Sequence, residues 1–143
     1  MPAETILDNC ALHRLDSIID ARGGLVALEA GRQVPFAIER VYYLFGTTEG
    51  AERGFHAHKA LHQLAICVAG ACTIIVDNGT DRREVRLDSP DKALFIGEML
   101  WREMRDFSPD AVLMVLASAH YDESDYIRDY EAFRAFVAED PSR

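Results

Sequence analysis

Arg53-Gly54-Phe55-His56-Ala57-His58 is the stretch on which the fold turns. His56 and His58 are two residues apart, and strand side chains alternate between faces, so in a strand both imidazoles project from one face. The residues C-terminal to the pair support a strand. Leu61, Leu64, Ile66 and Val68 lead to Gly70, and Cys72, Ile74 and Val76 then run to Asp77-Asn78-Gly79. The Asn-Gly step supplies the positive φ angles of a tight hairpin turn. The reading is of two imidazoles entering the interior of a small β fold, where such a pair can bind a metal or move protons.

Working outward, Leu25 to Glu29, Phe36 to Phe45, Val85 to Leu87 and Ala93 to Ile96 read as strands, with turns at Ala30-Gly31-Arg32 and Ser89-Pro90-Asp91. Their β-branched and aromatic content carries that reading. Ala111 to Ala117 is an unbroken apolar run, which predicts a fully buried strand. Residues 1–20 carry no decisive pattern. Tyr126, Tyr130, Phe133 and Val137 recur at helical spacing behind Asp122, Glu123 and Asp125, acids suited to a helix N-terminus. That pattern predicts a C-terminal amphipathic helix packed on the sheet. Many short strands and one helix make a mainly β, antiparallel sandwich or barrel.

The 143 residues suffice for one domain, 1–143, with a real core. Net charge is −9, from 24 Asp and Glu against 15 Lys and Arg, which argues against nucleic acid as a partner. No apolar run approaches the ~20 residues that span a bilayer. Met1-Pro2-Ala3-Glu4 lacks the basic start and apolar block of a signal peptide, so the expected location is cytoplasmic. Cys10, Cys67 and Cys72 form no metal spacing and are expected as reduced thiols.

The spacing from His56 onward resembles the first motif of the cupin family. In that motif a Gly precedes a His-x-His pair, a Glu follows, and a Gly closes it. Here the Glu position falls on Gln63 and the closing glycine is Gly70. Where the second cupin motif carries a histidine, this chain reads Gly97-Glu98-Met99-Leu100-Trp101-Arg102. Two imidazoles and a neutral amide are a poor donor set for a dication, and a guanidinium nearby would repel it. Acid–base chemistry suits the histidines better. His62 should point to the opposite face.

The chain further resembles the sugar 3,4-ketoisomerases that act on dTDP-4-keto-6-deoxyglucose. The matching segments are Arg22-Gly23-Gly24-Leu25, residues 35–43, residues 53–59, Trp101-Arg102-Glu103-Met104, Phe107-Ser108, residues 115–118 and residues 121–130. They fall in order over residues 20–136. The resemblance implies a small cupin, a jelly-roll-like antiparallel β-barrel with a C-terminal helix. It also implies a homodimer, often strand-exchanged, and a reaction without metal or cofactor, in deoxysugar and cell-surface polysaccharide (lipopolysaccharide O-antigen) biosynthesis. By resemblance His56 is the proton shuttle, His58 assists or orients it, and Tyr42 hydrogen-bonds a sugar oxygen. Arg22 and Arg102 fall where the family lines the sugar pocket. Arg53 and Lys59 are candidates for the pyrophosphate, and Gln63 for a histidine or the sugar. Arg102 departs from relatives with histidine after the tryptophan, which leaves open the product configuration at carbon 4. Three other readings stay in play: a non-catalytic nucleotide-sugar sensor, a metal-dependent cupin, and a 3,5-epimerase of the same sugar.

Overall fold

A computed structural model describes residues 3–139, so residues 1, 2 and 140–143 of the expected domain lie outside the described part. The strands are β1 (Ala3–Leu7), β2 (Cys10–Arg14), β3 (Ile18–Asp20), β4 (Gly23–Leu25), β5 (Arg40–Leu44), β6 (Arg53–His58), β7 (Gln63–Ala69), β8 (Cys72–Asp77), β9 (Arg82–Leu87), β10 (Lys92–Ile96), β11 (Trp101–Arg105), β12 (Val112–Ala117) and β13 (Tyr126–Ile127). One helix, α1, follows at Tyr130–Glu139. A six-stranded sheet in the order β1-β2-β10-β7-β12-β5 faces a five-stranded sheet in the order β13-β6-β11-β8-β9, and β3-β4 form a separate hairpin. Every ladder is antiparallel. The jelly-roll-like barrel is thus two facing sheets rather than one closed ring of hydrogen bonds.

The strict alternation of β7 explains the layering. Ala65 and Cys67 point between the sheets, into a core with Ile74, Val76, Leu94, Ile96, Leu113 and Val115. Leu64 and Ile66 point outward, where Val26, Leu28, Val34, Phe36 and Ile38 cover them. That covering segment corrects the strands expected at residues 25–29 and 36–39. It buries its apolar side chains on a sheet face without joining a ladder, so only Gly23–Leu25 and Arg40–Leu44 pair. Cys10, Cys67 and Cys72 are buried and free.

A second difference lies at the C-terminus. Tyr126 belongs to β13, opposite His58 on β6, and not to the helix. The helix starts at Tyr130 because the Asp129 side chain accepts from the Ala132 N–H at 2.9 Å, closing the first turn. The acids at 122–125 form a separate 3₁₀ turn, capped by Asp122. Phe133 then anchors α1 in a small core with Ala57, Met99, Trp101 and Ile127 on the outer face of the five-stranded sheet.

Candidate active site

One end of the inter-sheet space is polar. His56 and His58 share the inner face of β6, with ring centroids 4.9 Å apart and the rings edge to face. The ring of Tyr126 lies 4.9 Å from His56 and 4.3 Å from His58. Opposite Ala57 and His56 on β11 stand Trp101 and Arg102. Arg102 is 0% exposed. Its guanidinium donates to the Leu100 carbonyl and to Gln63 Oε1. With its oxygen so engaged, Gln63 uses Nε2 to donate to the Tyr42 hydroxyl oxygen at 3.1 Å. The hydroxyl proton of Tyr42 is therefore left to be donated elsewhere.

Burial, and then the charge of Arg102, lowers the pKa of His56 from 6.5 to about 4 and that of His58 to about 2. Both imidazoles are neutral at pH 7, so each has a lone pair to accept a proton. Burial holds the Tyr42 hydroxyl above its usual range, keeping it a donor. Burial also pushes Arg102 down to about 10, still charged at neutral pH. His56 Nδ1 and His58 Nε2 are buried with no hydrogen-bond partner.

The site opens through a cleft of about 300 Å³ lined by Arg40, Tyr42, Leu44, Arg53, Gly54, His56, Met104, Tyr126 and Arg128. Arg53 reaches it because of a β-bulge. Arg102 opposes His56 but Glu103 opposes Gly54, so Phe55 is an extra residue on β6, with φ 59°. Arg53 then pairs with Met104, which points inward. Gly54 is required beside the bulge: its φ is 91°, and an added Cβ would lie 2.9 Å from the Arg102 carbonyl oxygen. A smaller cavity of about 170 Å³ lies on the other side of Tyr126, lined by Arg40, His58, Asp122 and Asp125 among others. There the Asp125 carboxylate accepts from His58 Nδ1 at 3.0 Å.

Of the residues expected from sequence, His56, His58, Tyr42, Gln63 and Arg102 converge, and Arg53 joins them at the cleft. Arg102 lies beneath the histidines and lines neither cavity. Lys59 is exposed, its ammonium 5.9 Å from the Phe136 ring on α1. Arg22 sits on the β3-β4 hairpin, its side chain 90% exposed and paired with Asp20 at 2.6 Å. That hairpin stands against Ile66, Val68 and Met114, on the outside of the sheet whose inner face carries Gln63. His62 is turned away from the pair and meets Glu98. Sequence reasoning missed Arg40, Asp125, Tyr126 and Arg128. The clue was present for Arg40, since it alternates in phase with Tyr42.

Residues 8–138 match the family model described as FdtA: WxcM-like, C-terminal. A TDP-4-oxo-6-deoxy-alpha-D-glucose-3,4-oxoisomerase of Aneurinibacillus thermoaerophilus is 52% identical over 121 residues, 85% of this chain and 87% of that one. A sugar 3,4-ketoisomerase of Thermoanaerobacterium thermosaccharolyticum in complex with TDP superposes with a TM-score of 0.91 at 40% identity, covering 94% of this chain and 98% of that one. A mutant of that enzyme, in complex with TDP-4-keto-6-deoxyglucose, superposes with a TM-score of 0.92 at 38% identity over 96% of this chain and 100% of the other.

Proposed function

The chain belongs to the WxcM-like, C-terminal family and acts as a sugar 3,4-ketoisomerase; we propose that it converts dTDP-4-keto-6-deoxyglucose to a 3-keto isomer by proton transfer in the His56–Tyr42 cleft. His56 removes the proton from carbon 3, and the electron pair flows through the new carbon–carbon double bond onto O4. Tyr42 donates its hydroxyl proton to O4 and recovers one from O3. The imidazolium returns its proton to carbon 4, and O3 becomes the ketone. All electrons stay within the sugar, so no redox cofactor is needed. The observation that carries this reading is a neutral His56 lining the same cleft as a tyrosine whose hydroxyl proton is uncommitted.

The donor chemistry favours a metal-independent reaction. Gln63, at the position of the cupin glutamate, has its oxygen bonded to Arg102, so a dication beside the histidines would face a fixed guanidinium. The pyrophosphate is assigned to Arg53, Arg40 and Arg128, which line the cleft. Lys59, turned toward α1, drops out of that role, and Arg102 acts through Gln63 and the histidines rather than on the sugar.

A homodimer accounts for the remaining apolar surface. Val41, Tyr43 and Phe45, on the outer face of the six-stranded sheet, are 52%, 61% and 71% exposed, and Ile18, Ile19 and Leu25 on the β3-β4 hairpin are 70%, 74% and 57% exposed. The hairpin is the segment a strand exchange would lend. Arg22 meets sugar in this scheme only through a second copy. No helix among the described residues is long and apolar enough to cross a membrane. We assign the enzyme to the cytoplasm.

Proton NMR of dTDP-4-keto-6-deoxyglucose with the protein in deuterated water tests the function. A 3-keto product is expected, with couplings that define the configuration at carbon 4. Binding without exchange would indicate a sensor, exchange at carbon 5 an epimerase, and activity lost to a chelator a metal enzyme.

A further inference from the structure

We propose that Asp125 is a positioning residue of the isomerase, which fixes the tautomer of His58 and through it the proton-accepting face of the histidine pair. The inference rests on His56 being the proton carrier and His58 its orienting neighbour. Asp125 comes from the 3₁₀ turn at Glu123–Asp125 and uses both carboxylate oxygens. Oδ1 accepts from the Ala60 backbone N–H at 2.9 Å, and Oδ2 accepts from His58 Nδ1 at 3.0 Å. The Lys59 N–H donates to the Asp125 carbonyl at 2.9 Å, so the turn is tied to the end of β6 by three bonds. A carboxylate can only accept, so His58 carries its proton on Nδ1 and leaves Nε2 bare. That Nε2 is buried and without a partner, on a ring packed edge to face with His56. A bare acceptor beside His56 orients the catalytic ring and can steady the charge it gains when it takes the carbon 3 proton. Tyr126 closes the arrangement by contacting both rings.

The two bonds to Asp125 make a sharp test. An asparagine has one oxygen. The Ala60 N–H is a donor that cannot change, so in Asp125→Asn the amide oxygen stays on Ala60 and the NH₂ faces His58 Nδ1. The imidazole must then shift its proton to Nε2, the wrong tautomer for the pair. An alanine removes the acceptor without presenting a donor, and the adjoining cavity gives water access to Nδ1. The usual ranking is therefore inverted: Asp125→Asn loses about 10²–10⁴-fold in kcat, by analogy with the tautomer effect in a catalytic triad, and Asp125→Ala loses less. KM changes little in either variant. A residue that merely braced the loop would show the opposite order.

The first measurement needs no variant: ¹⁵N-resolved NMR of histidine-labelled full-length protein reads the tautomer of His58 directly. A proton on Nδ1 is expected; a proton on Nε2 overturns the proposal. In Asp125→Asn the proton is expected to move to Nε2 as kcat falls. Wild-type kcat in that variant, or a fall in kcat with the tautomer unchanged, or Asp125→Ala worse than Asp125→Asn, also overturns it. The underlying reading fails separately, if His56→Asn keeps near-normal turnover.

Discussion

Arg102 and Glu103 are neighbours on β11 and point to opposite faces of one sheet. Glu103 faces outward and is surrounded by donors: Trp101 Nε1 at 2.9 Å, Arg82 at 3.3 Å and Arg105 at 2.6 Å. Burial alone would raise its pKa, but the bonds from Trp101 and Arg82 hold it below the usual range. Arg82 also pairs with Asp77, which accepts from the Tyr130 hydroxyl at 2.7 Å. This balanced network, with Trp101 packed at 5.3 Å against Tyr130, docks α1. Arg102 faces inward, is fully buried and has only neutral oxygens to bond. Balanced charge holds elements together. An unbalanced cation costs stability, and what it supplies in return is a field that adds to burial in lowering the pKa of two histidines.

Substitutions can break this contrast from either side. The largest effect is expected inside: His56→Asn should lower turnover by about 10³–10⁴-fold while nucleotide binding and the folded spectrum persist. Tyr42→Phe should cost about 10²-fold in kcat, because a donor to the enediolate oxygen goes while the proton carrier stays. On the outer face, Glu103→Gln should cost about 1–2 kcal/mol of stability, read as a shift of the urea midpoint, with kcat unchanged; a loss of kcat there would erase the distinction between the two faces.

The smallest effect is a shift in pH dependence. His56 titrates near 4 in the folded chain against 6.5 for the ordinary group, so the unfolded chain binds more protons between those values. Stability contributed by the neutral ring is present above pH 6.5 and lost as pH falls toward 4, and kcat/KM should show its acid limb near 4. Arg102→Met removes the second cause of that depression but not the first, burial. The limb should move up by less than about one pH unit, and the thermal midpoint should hold or rise, since an isolated buried cation has gone. An unmoved limb would show that Arg102 exerts no field on His56.

The alternation around His56 made the β fold and the inward histidines legible, because face selection is local. The glutamine at position 63 and the arginine at position 102 could be placed by motif spacing. The carboxylate on His58 could not, since the two residues are 67 apart in the chain and meet only when β13 pairs with β6. Tyr126 was misread for a physical reason: it happens to lie in phase with the true helix residues Tyr130, Phe133 and Val137, across a boundary set by the Asp129 cap. The strands within residues 1–20 were obscured because β1, β2 and β3 are only 5, 5 and 3 residues long, too short for a period of two to stand out.

The bulge at Phe55 is a phase shift in the two-residue repeat of β6. In an unbroken strand, positions three apart face opposite ways, yet Arg53 and His56 both address the cleft. A regular ladder that kept Phe55 would turn Arg53 to the outer surface, whereas deleting Phe55 would heal the bulge and leave Arg53 opposite Met104, still facing the cleft. The ladder thus absorbs one residue between Arg53 and His56, and the cleft keeps its charge. A strand of this fold can change length beside the site while its ligand-facing residues stay in phase.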